Sequence, residues 1–488
     1  MPRLPAQIAA PQVAIQASSW HDLQALTPVT IPIADPVPEG RMPGPVRIGI
    51  SRRGEVLHLL PLLALIYSFL LFPPEVHFYV FGINLPVYRL LSILLSWYPA
   101  WGFASRRLRF DIADGLILLA SVWMAVSFMH VYGSGTGFVR ASGNIVDFAF
   151  PYFIARAGLR TPGDVRTLFL LLVPGLMLAG IEMMVESLAR QFIVRPAFTG
   201  IFGHMPAYDN GDVAGDLHIR KEFRLGGLLR AFGPFSHPIL GGVVLTSTLL
   251  VYLKGGIRGW PRFAGLAAAS MGFFALSSAS VIAILASAGI YVADFALSWF
   301  RRIGWWIAIL FVLLAAFAVE FGSKGGLINI LIRMTIDPQT GYYRKLIWQY
   351  GLQSIANHPV FGIGYAEYDR PLYLVPSASV DAHFLAEGIR HGVIVPASLM
   401  AAIVITMVRL GIAIGQGRGT DRDTLFAFNC ALFVLALSSM TVTYFGEARI
   451  WFMAMIGIGA SMAQLRLVRM PDRAAAVPNR PGAHSPAR

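Results

Sequence analysis

Long apolar runs broken by short clusters of arginine, glycine, proline or serine fill most of the chain. A bilayer core asks for about 20 apolar residues per helix. Runs of that order predict membrane-spanning helices near 57–72, 83–104, 110–132, 139–155, 167–189, 238–253, 263–276, 281–299, 303–321, 393–415, 425–441 and 449–465. The pattern therefore predicts an all-α fold, a polytopic membrane helix bundle of about 12 transmembrane helices with two long outer loops containing short helices.

Charge placement is an independent test of this reading, because short cytoplasmic loops collect Lys and Arg. One set of alternating loops carries Arg106, Arg107 and Arg109; Arg156, Arg160 and Arg166; Lys254, Arg258 and Arg262; Arg301 and Arg302; Arg418 and Arg422; and, after the last span, Arg466, Arg469 and Arg473. The short loops around 73–82, 133–138, 277–280 and 442–448 carry neither Lys nor Arg. Both termini are then cytoplasmic, and the long segments 190–237 and 322–392 face outward. The division is a disordered tail over 1–56 with many prolines, an integral membrane domain over 57–465, and a second disordered tail over 466–488.

Composition agrees: 56% of residues are hydrophobic, 13% are charged, and mean hydropathy is +0.62. Water is not the main solvent of such a chain. The formal charge of +13 would suggest nucleic acid in a soluble protein. Here topology accounts for it, and no nucleic-acid partner is expected. The single cysteine, Cys430, lies in an apolar stretch, where a thiol is a small inert hydrophobe. No internal repeat or matched pair of Gly/Pro-broken helices points to a transporter.

Candidate chemistry gathers in the two outer loops. The first ends in Arg220-Lys221-Glu222-Phe223-Arg224 and then Arg230-Ala-Phe-Gly-Pro-Phe-Ser-His237-Pro238, running into a predicted helix. Positive-inside pressure does not explain cations outside. They snorkel to headgroups, or they hold an anionic ligand. Arg230 stands on a Gly/Pro-turned approach to a helix start, where backbone N–H groups also attract anions. The second loop reads as short amphipathic helices over 326–336 and 342–357, suited to the membrane interface, then a turn His358-Pro-Val-Phe-Gly-Ile-Gly364. It closes on Asp381-Ala-His383-Phe-Leu-Ala-Glu387-Gly-Ile-Arg390-His391-Gly392. Asp209, Asp212 and Asp216 lack the spacing and closing glutamate of a calcium loop, so no metal set is expected.

These residues resemble the O-antigen ligase and polysaccharide (O-antigen or exopolysaccharide) polymerase family of polytopic membrane proteins. The likeness rests on Arg230 with Gly241, Arg344 with Trp348, the His358 to Gly364 turn, and the Asp381 to Gly392 block. Two departures stand out: Asp381-Ala382 occupies the register where the family usually has His-Asn, and Ser280-Val281 stands where many members have Ser-Arg. The resemblance implies a metal-independent glycosyltransferase of the bacterial inner membrane, without cofactor, that transfers or polymerises polyprenyl-diphosphate-linked saccharide. Implied partners are that lipid-linked saccharide, membrane lipid and other polysaccharide-assembly proteins. A transporter of polysaccharide or lipid is the alternative.

Such chemistry builds charge on a departing diphosphate, which fixed cations must stabilise. Arginine forks suit phosphate oxygens and stay charged. Arg230 and Arg344 are the expected diphosphate clamp, assisted by Arg224 or Lys221. The attacking hydroxyl needs a base, either His383, whose type titrates near neutrality, or Asp381, with its pKa raised by desolvation. Glu387 and His391, one helical turn apart, are supporting partners, and Glu182 and Glu186 are expected to hold outer-loop arginines.

Overall fold

The computed structural model describes residues 56–80, 83–203, 221–299, 314, 317, 318, 338–375 and 379–468, all within one compact unit, Arg53–Arg488. Residues 1–55, the predicted span 303–321 except 314, 317 and 318, the predicted helix 326–336, residues 469–488, and Arg220, Asp209, Asp212 and Asp216 lie outside the described residues.

The fold is helical. α1 (Leu60–Leu71) is followed by a hairpin of β1 (His77–Val80) and β2 (Ile83–Pro86), antiparallel with His77 opposite Pro86. Then come α2 (Val87–Leu95), α3 (Trp97–Ala104), α4 (Ile112–Tyr132), α5 (Ser134–Gly158), α6 (Pro162–Ala189) and α7 (Val194–Phe202). A second small hairpin, β3 (Phe223–Arg224) with β4 (Leu228–Leu229), precedes α8 (Pro238–Ser247), α9 (Leu249–Lys254), α10 (Trp260–Met271) and α11 (Ser278–Trp299). The last elements are α12 (Pro338–Asn357), α13 (His383–His391), α14 (Ile394–Gln416), α15 (Gly419–Ser438) and α16 (Gly446–Val468).

Helices thus stand at every predicted span within the described residues, with informative breaks. The run 83–104 is split because the β1–β2 hairpin and Pro86 delay the helix start, and α2 then gives way to α3 at Ser96. The run 238–253 divides at Thr248. There the hydroxyls of Thr246, Ser247 and Thr248 bond back to Gly242, Val244 and Leu245 carbonyls, competing with the helical ladder. Among the described residues, α4, α6, α11 and α14 are long and apolar enough to cross a membrane, with shorter apolar helical stretches at Leu57–Leu71 and Pro238–Lys254. α5 is as long as these but carries Arg140, Asn144, Asp147 and Arg156 along its length.

α16 is the hub of the bundle. Its residues from Glu447 to Ala463 are buried, apolar on all sides after Arg449, as befits a helix surrounded by others. It packs chiefly on α5, which packs on α4, while α14 covers α4, α15 and α16.

Ion pairs sort the helix ends. At one end Asp111 meets Arg409, Asp114 takes hydrogen bonds from Tyr152 Oη (2.7 Å) and Arg156 Nε (3.3 Å), and Arg166 meets Asp421 at 2.9 Å. Asp111 and Asp164 also close capping boxes at the starts of α4 and α6. Arg156, which also reaches the Arg109 carbonyl, Arg166 and Arg409 are thus held at this end.

Candidate active site

The first long segment is held by a carboxylate. Glu186, fully buried near the end of α6, accepts hydrogen bonds from four backbone amides: Ile193 and Val194 through one oxygen, both at 3.0 Å, and Phe232 and Gly233 through the other, at 3.0 and 2.9 Å. It therefore fastens both arms of the segment by their backbones, where sequence reasoning expected it to hold arginines. Glu182, one turn earlier, has a buried Oε2 with no hydrogen-bond partner among the described residues.

From this anchor the β3–β4 hairpin projects its cations. Arg224 donates to the Leu276 carbonyl at 3.0 Å and to Glu222 at 3.3 Å. Arg230, buried, donates from one terminal nitrogen to the same Glu222 oxygen at 2.8 Å, while its buried Nε has no hydrogen-bond partner among the described residues. Burial lowers the Arg230 pKa, opposed by Glu222 and aided by Arg224 and Arg344. Lys221 is exposed and makes no ion pair or hydrogen bond among the described residues. His237 caps α8 through Nδ1, and burial together with Arg230, Arg195 and Arg224 pushes its pKa down to about 3.

The second long segment builds a core of its own. α12 buries Leu346 and Ile347 against Tyr368, Val375, Ala382, Leu385 and Ile389, with Tyr350 and Ile355 packed alongside. The apolar face expected at a lipid interface is covered by protein. Trp348 ties α12 to the α15–α16 turn through Met440 O at 3.2 Å. On the same helix Arg344 is mostly enclosed, its side chain 15% exposed, and its nearest anionic partner is Asp381, with Nε 3.9 Å from Oδ2. That distance is too long for a hydrogen bond, and the Arg344 Nε has none among the described residues. Burial lowers its pKa against the pull of Asp381, and Arg224 adds to the lowering.

The Gly-Ile-Gly turn is a clasp. Ile363 N donates to Ile389 O at 2.8 Å, Gly364 N to Arg390 O at 3.1 Å, and Val393 N to Pro359 O at 2.8 Å. Gly362 and Gly392 face each other across it with φ of +64° and +75°, and a Cβ on either would strike backbone. The glycines fix the end of α13, and with it the segment that leads out from Asp381.

Asp381 and His383 part company. The Asp381 side chain is 40% exposed, takes Ser379 Oγ at 3.1 Å and faces Arg344. His383 begins α13 with its backbone N bonded to Ser439 O at 2.8 Å, and its side chain is 0% exposed, against Tyr444 and Phe452. The carboxylate 4.0 Å from its Nδ1 is that of Glu387. Glu387 is also 3.8 Å from His391 Nε2, as the one-turn spacing predicted, and 2.9 Å from an Arg449 nitrogen. Burial raises the Glu387 pKa, but Arg449, His391 and Arg390 together outweigh it and leave it lowered. His391, bonded to Ser127 Oγ at 2.7 Å, is pushed down to about 3 by burial, with Arg390 and Arg449 adding to the effect against Glu387.

Arg224, Arg230 and Arg344 therefore come from two loops into electrostatic reach of one another, beside an accessible carboxylate. Residues 263–395 match the family model of the O-antigen ligases. The match supports assignment to the O-antigen ligase and polymerase family. It covers Arg344, the Gly-Ile-Gly turn and the Asp381 to Gly392 block; Arg224 and Arg230 precede it. No curated protein matches the chain. Together with the apolar helices, the match supports a glycan-transferring, multi-pass enzyme of the bacterial inner membrane, acting in O-antigen assembly.

Two arginines escaped sequence reasoning. Arg195 pairs with buried Glu75 and donates to Ser236 O at 3.2 Å. Arg449, in α16, joins Glu387 to Asn144 Oδ1 at 3.0 Å. Each carboxylate partner is distant in sequence, so spacing carried no sign of either pair; a charged residue beside a predicted span was the one available signal.

Proposed function

We propose that the protein transfers or polymerises polyprenyl-diphosphate-linked saccharide on the periplasmic face of the inner membrane, using arginines in place of a metal. The observation that carries this reading is the convergence of Arg224, Arg230 and Arg344 next to Asp381, with the buried Nε atoms of Arg230 and Arg344 left without hydrogen-bond partners among the described residues. Enclosed cations in a low-dielectric mouth bind phosphate oxygens more strongly than solvated ones. Arg156, Arg166 and Arg409 are paired with Asp114, Asp421 and Asp111 at one end of the bundle, which supports an outward-facing mouth at the other with both termini cytoplasmic.

In the proposed reaction the acceptor hydroxyl gives its proton to Asp381 as its oxygen attacks the anomeric carbon of the donor. A new C–O bond forms, the bond from that carbon to the diphosphate breaks, and its electron pair leaves on the diphosphate facing Arg230 and Arg344. We assign the base to Asp381 rather than His383 because the carboxylate stands beside Arg344, while the imidazole packs on Tyr444 and Phe452 and faces Glu387.

The test is glycosidic-bond formation in proteoliposomes supplied with lipid-linked saccharide and a chelator. Wild type makes product, and Arg230→Ala and Arg344→Ala each lose about a hundredfold or more, the scale of one lost transition-state donor. Unchanged output in both variants, or saccharide movement without a new bond, overturns the reading. Polymerase and ligase are separated by the glycolipids of a deletion strain. Single repeat units accumulate in the first case, and carrier-linked long chains in the second.

A further inference from the structure

Tyr368 lies between the glycine clasp and the segment leading to Asp381, and the mechanism above does not use it. Its ring is 3% exposed and packs in the small core with Leu346 and Ile347, which follow Arg344 on α12, and with Ala382, which follows Asp381. The ring is held in place. Arg370 lies over it at 5.2 Å and is itself fastened to Val375 O at 3.1 Å, Tyr368 O at 3.3 Å and Glu367 at 3.0 Å. Yet the Tyr368 hydroxyl is buried and has no hydrogen-bond partner among the described residues. Buried hydroxyls almost always find a partner, and one left unmet weakens the fold relative to phenylalanine at the same place.

The hydroxyl is within electrostatic reach of Asp381. Arg344, whose Nε also lacks a hydrogen-bond partner among the described residues, stands against the same Asp381. Groups without partners at a proposed site have a common explanation, which is that the substrate supplies the partner. The arginine nitrogens suit phosphate oxygens. A neutral phenol suits the uncharged part of the same substrate, and burial and Asp381 both favour its protonated, donating form against the opposing pull of Arg370.

We propose that Tyr368 is a further substrate-binding residue, its hydroxyl donating a hydrogen bond to a saccharide hydroxyl held beside Asp381. The inference rests on the glycosyl-transfer reading and adds a contact to sugar where that reading has contacts to diphosphate. An acceptor hydroxyl bonded by Tyr368 on one side and Asp381 on the other would have its lone pair and its proton directed separately, one toward the donor carbon and one toward the base.

Tyr368→Phe removes the hydroxyl alone. In the proteoliposome assay the variant is expected to lose about threefold to tenfold in kcat/KM, the scale of one hydrogen bond to a neutral group, while its thermal midpoint stays level or rises. A smaller loss of activity overturns the proposal. So does a fall in the midpoint, because the hydroxyl then has a partner in the resting fold. Failure of the underlying reading looks different: wild type itself forms no glycosidic bond, or Arg344→Ala matches wild type. The proposal falls with it.

Discussion

Asp381 and His383 are two positions apart in sequence, yet they have opposite surroundings: the carboxylate faces Arg344 and the imidazole packs on Tyr444 and Phe452. With Asp381 as base, Asp381→Asn should lower turnover by about a hundredfold or more. Activity surviving in Asp381→Asn would return the role to His383. His237 makes a separate pH prediction for stability. Its folded pKa of about 3 lies below the ordinary histidine value of 6.5, so the unfolded chain binds the extra proton first. Stability is therefore fully present above pH 6.5 and declines toward pH 3, by at most about 1.4 kcal/mol per pH unit for one proton. His237→Asn keeps a good helix cap without a titrating group. Its thermal midpoint should match wild type at pH 7 and fall less between pH 6.5 and 4.5.

At the scale of elements, the two long segments are positioned by different means. α6 reaches the first through the Glu186 carboxylate, which gathers amides from both arms. Glu186→Ala leaves four N–H groups unmet, of which the buried pair at Phe232 and Gly233 costs about 1–3 kcal/mol each. Limited proteolysis should then open residues 190–237 while the helices stay intact by circular dichroism. Equal protease resistance would show that the arms are held by other contacts. In the second segment the Gly362–Gly392 clasp forces any side chain at either position into backbone, in a left-handed conformation besides. Gly392→Ala should abolish transfer by shifting α13 and Asp381, and near-normal activity would argue against the clasp as a positioning device. The glycines were visible as a motif; their purpose was not, because close backbone approach is a property of two segments and not of one.

Across the whole molecule, α16 connects the mouth to the bundle. Arg449 leaves this buried helix to meet Glu387 of α13 and Asn144 of α5, and Asn144 Nδ2 reaches Tyr365 Oη at 2.7 Å. Arg449→Met would leave the Glu387 charge buried and unpaired, at a cost of about 3–5 kcal/mol. A double variant, Arg449→Met with Glu387→Leu, should recover much of the lost thermal stability, since removing both charges is cheaper than removing one. No recovery would mean that the pair is not the main tie between α13 and α16.

Helix positions, the grouping of basic loops and the identity of the chemistry-bearing blocks were legible in the sequence, because apolar periodicity, loop charge and motif spacing are local quantities. Arg230, Arg344 and Asp381 could be named as candidates on those grounds. Which residues face one another was decided only by tertiary packing. Arg344 meets Asp381 because α12 folds onto the 379–382 segment, and His383 is enclosed because α16 and the α15–α16 turn supply Phe452 and Tyr444 against it. Exposure, ion pairing and unmet hydrogen bonds depend on what the rest of the chain brings to a residue, and one-dimensional spacing contains none of that.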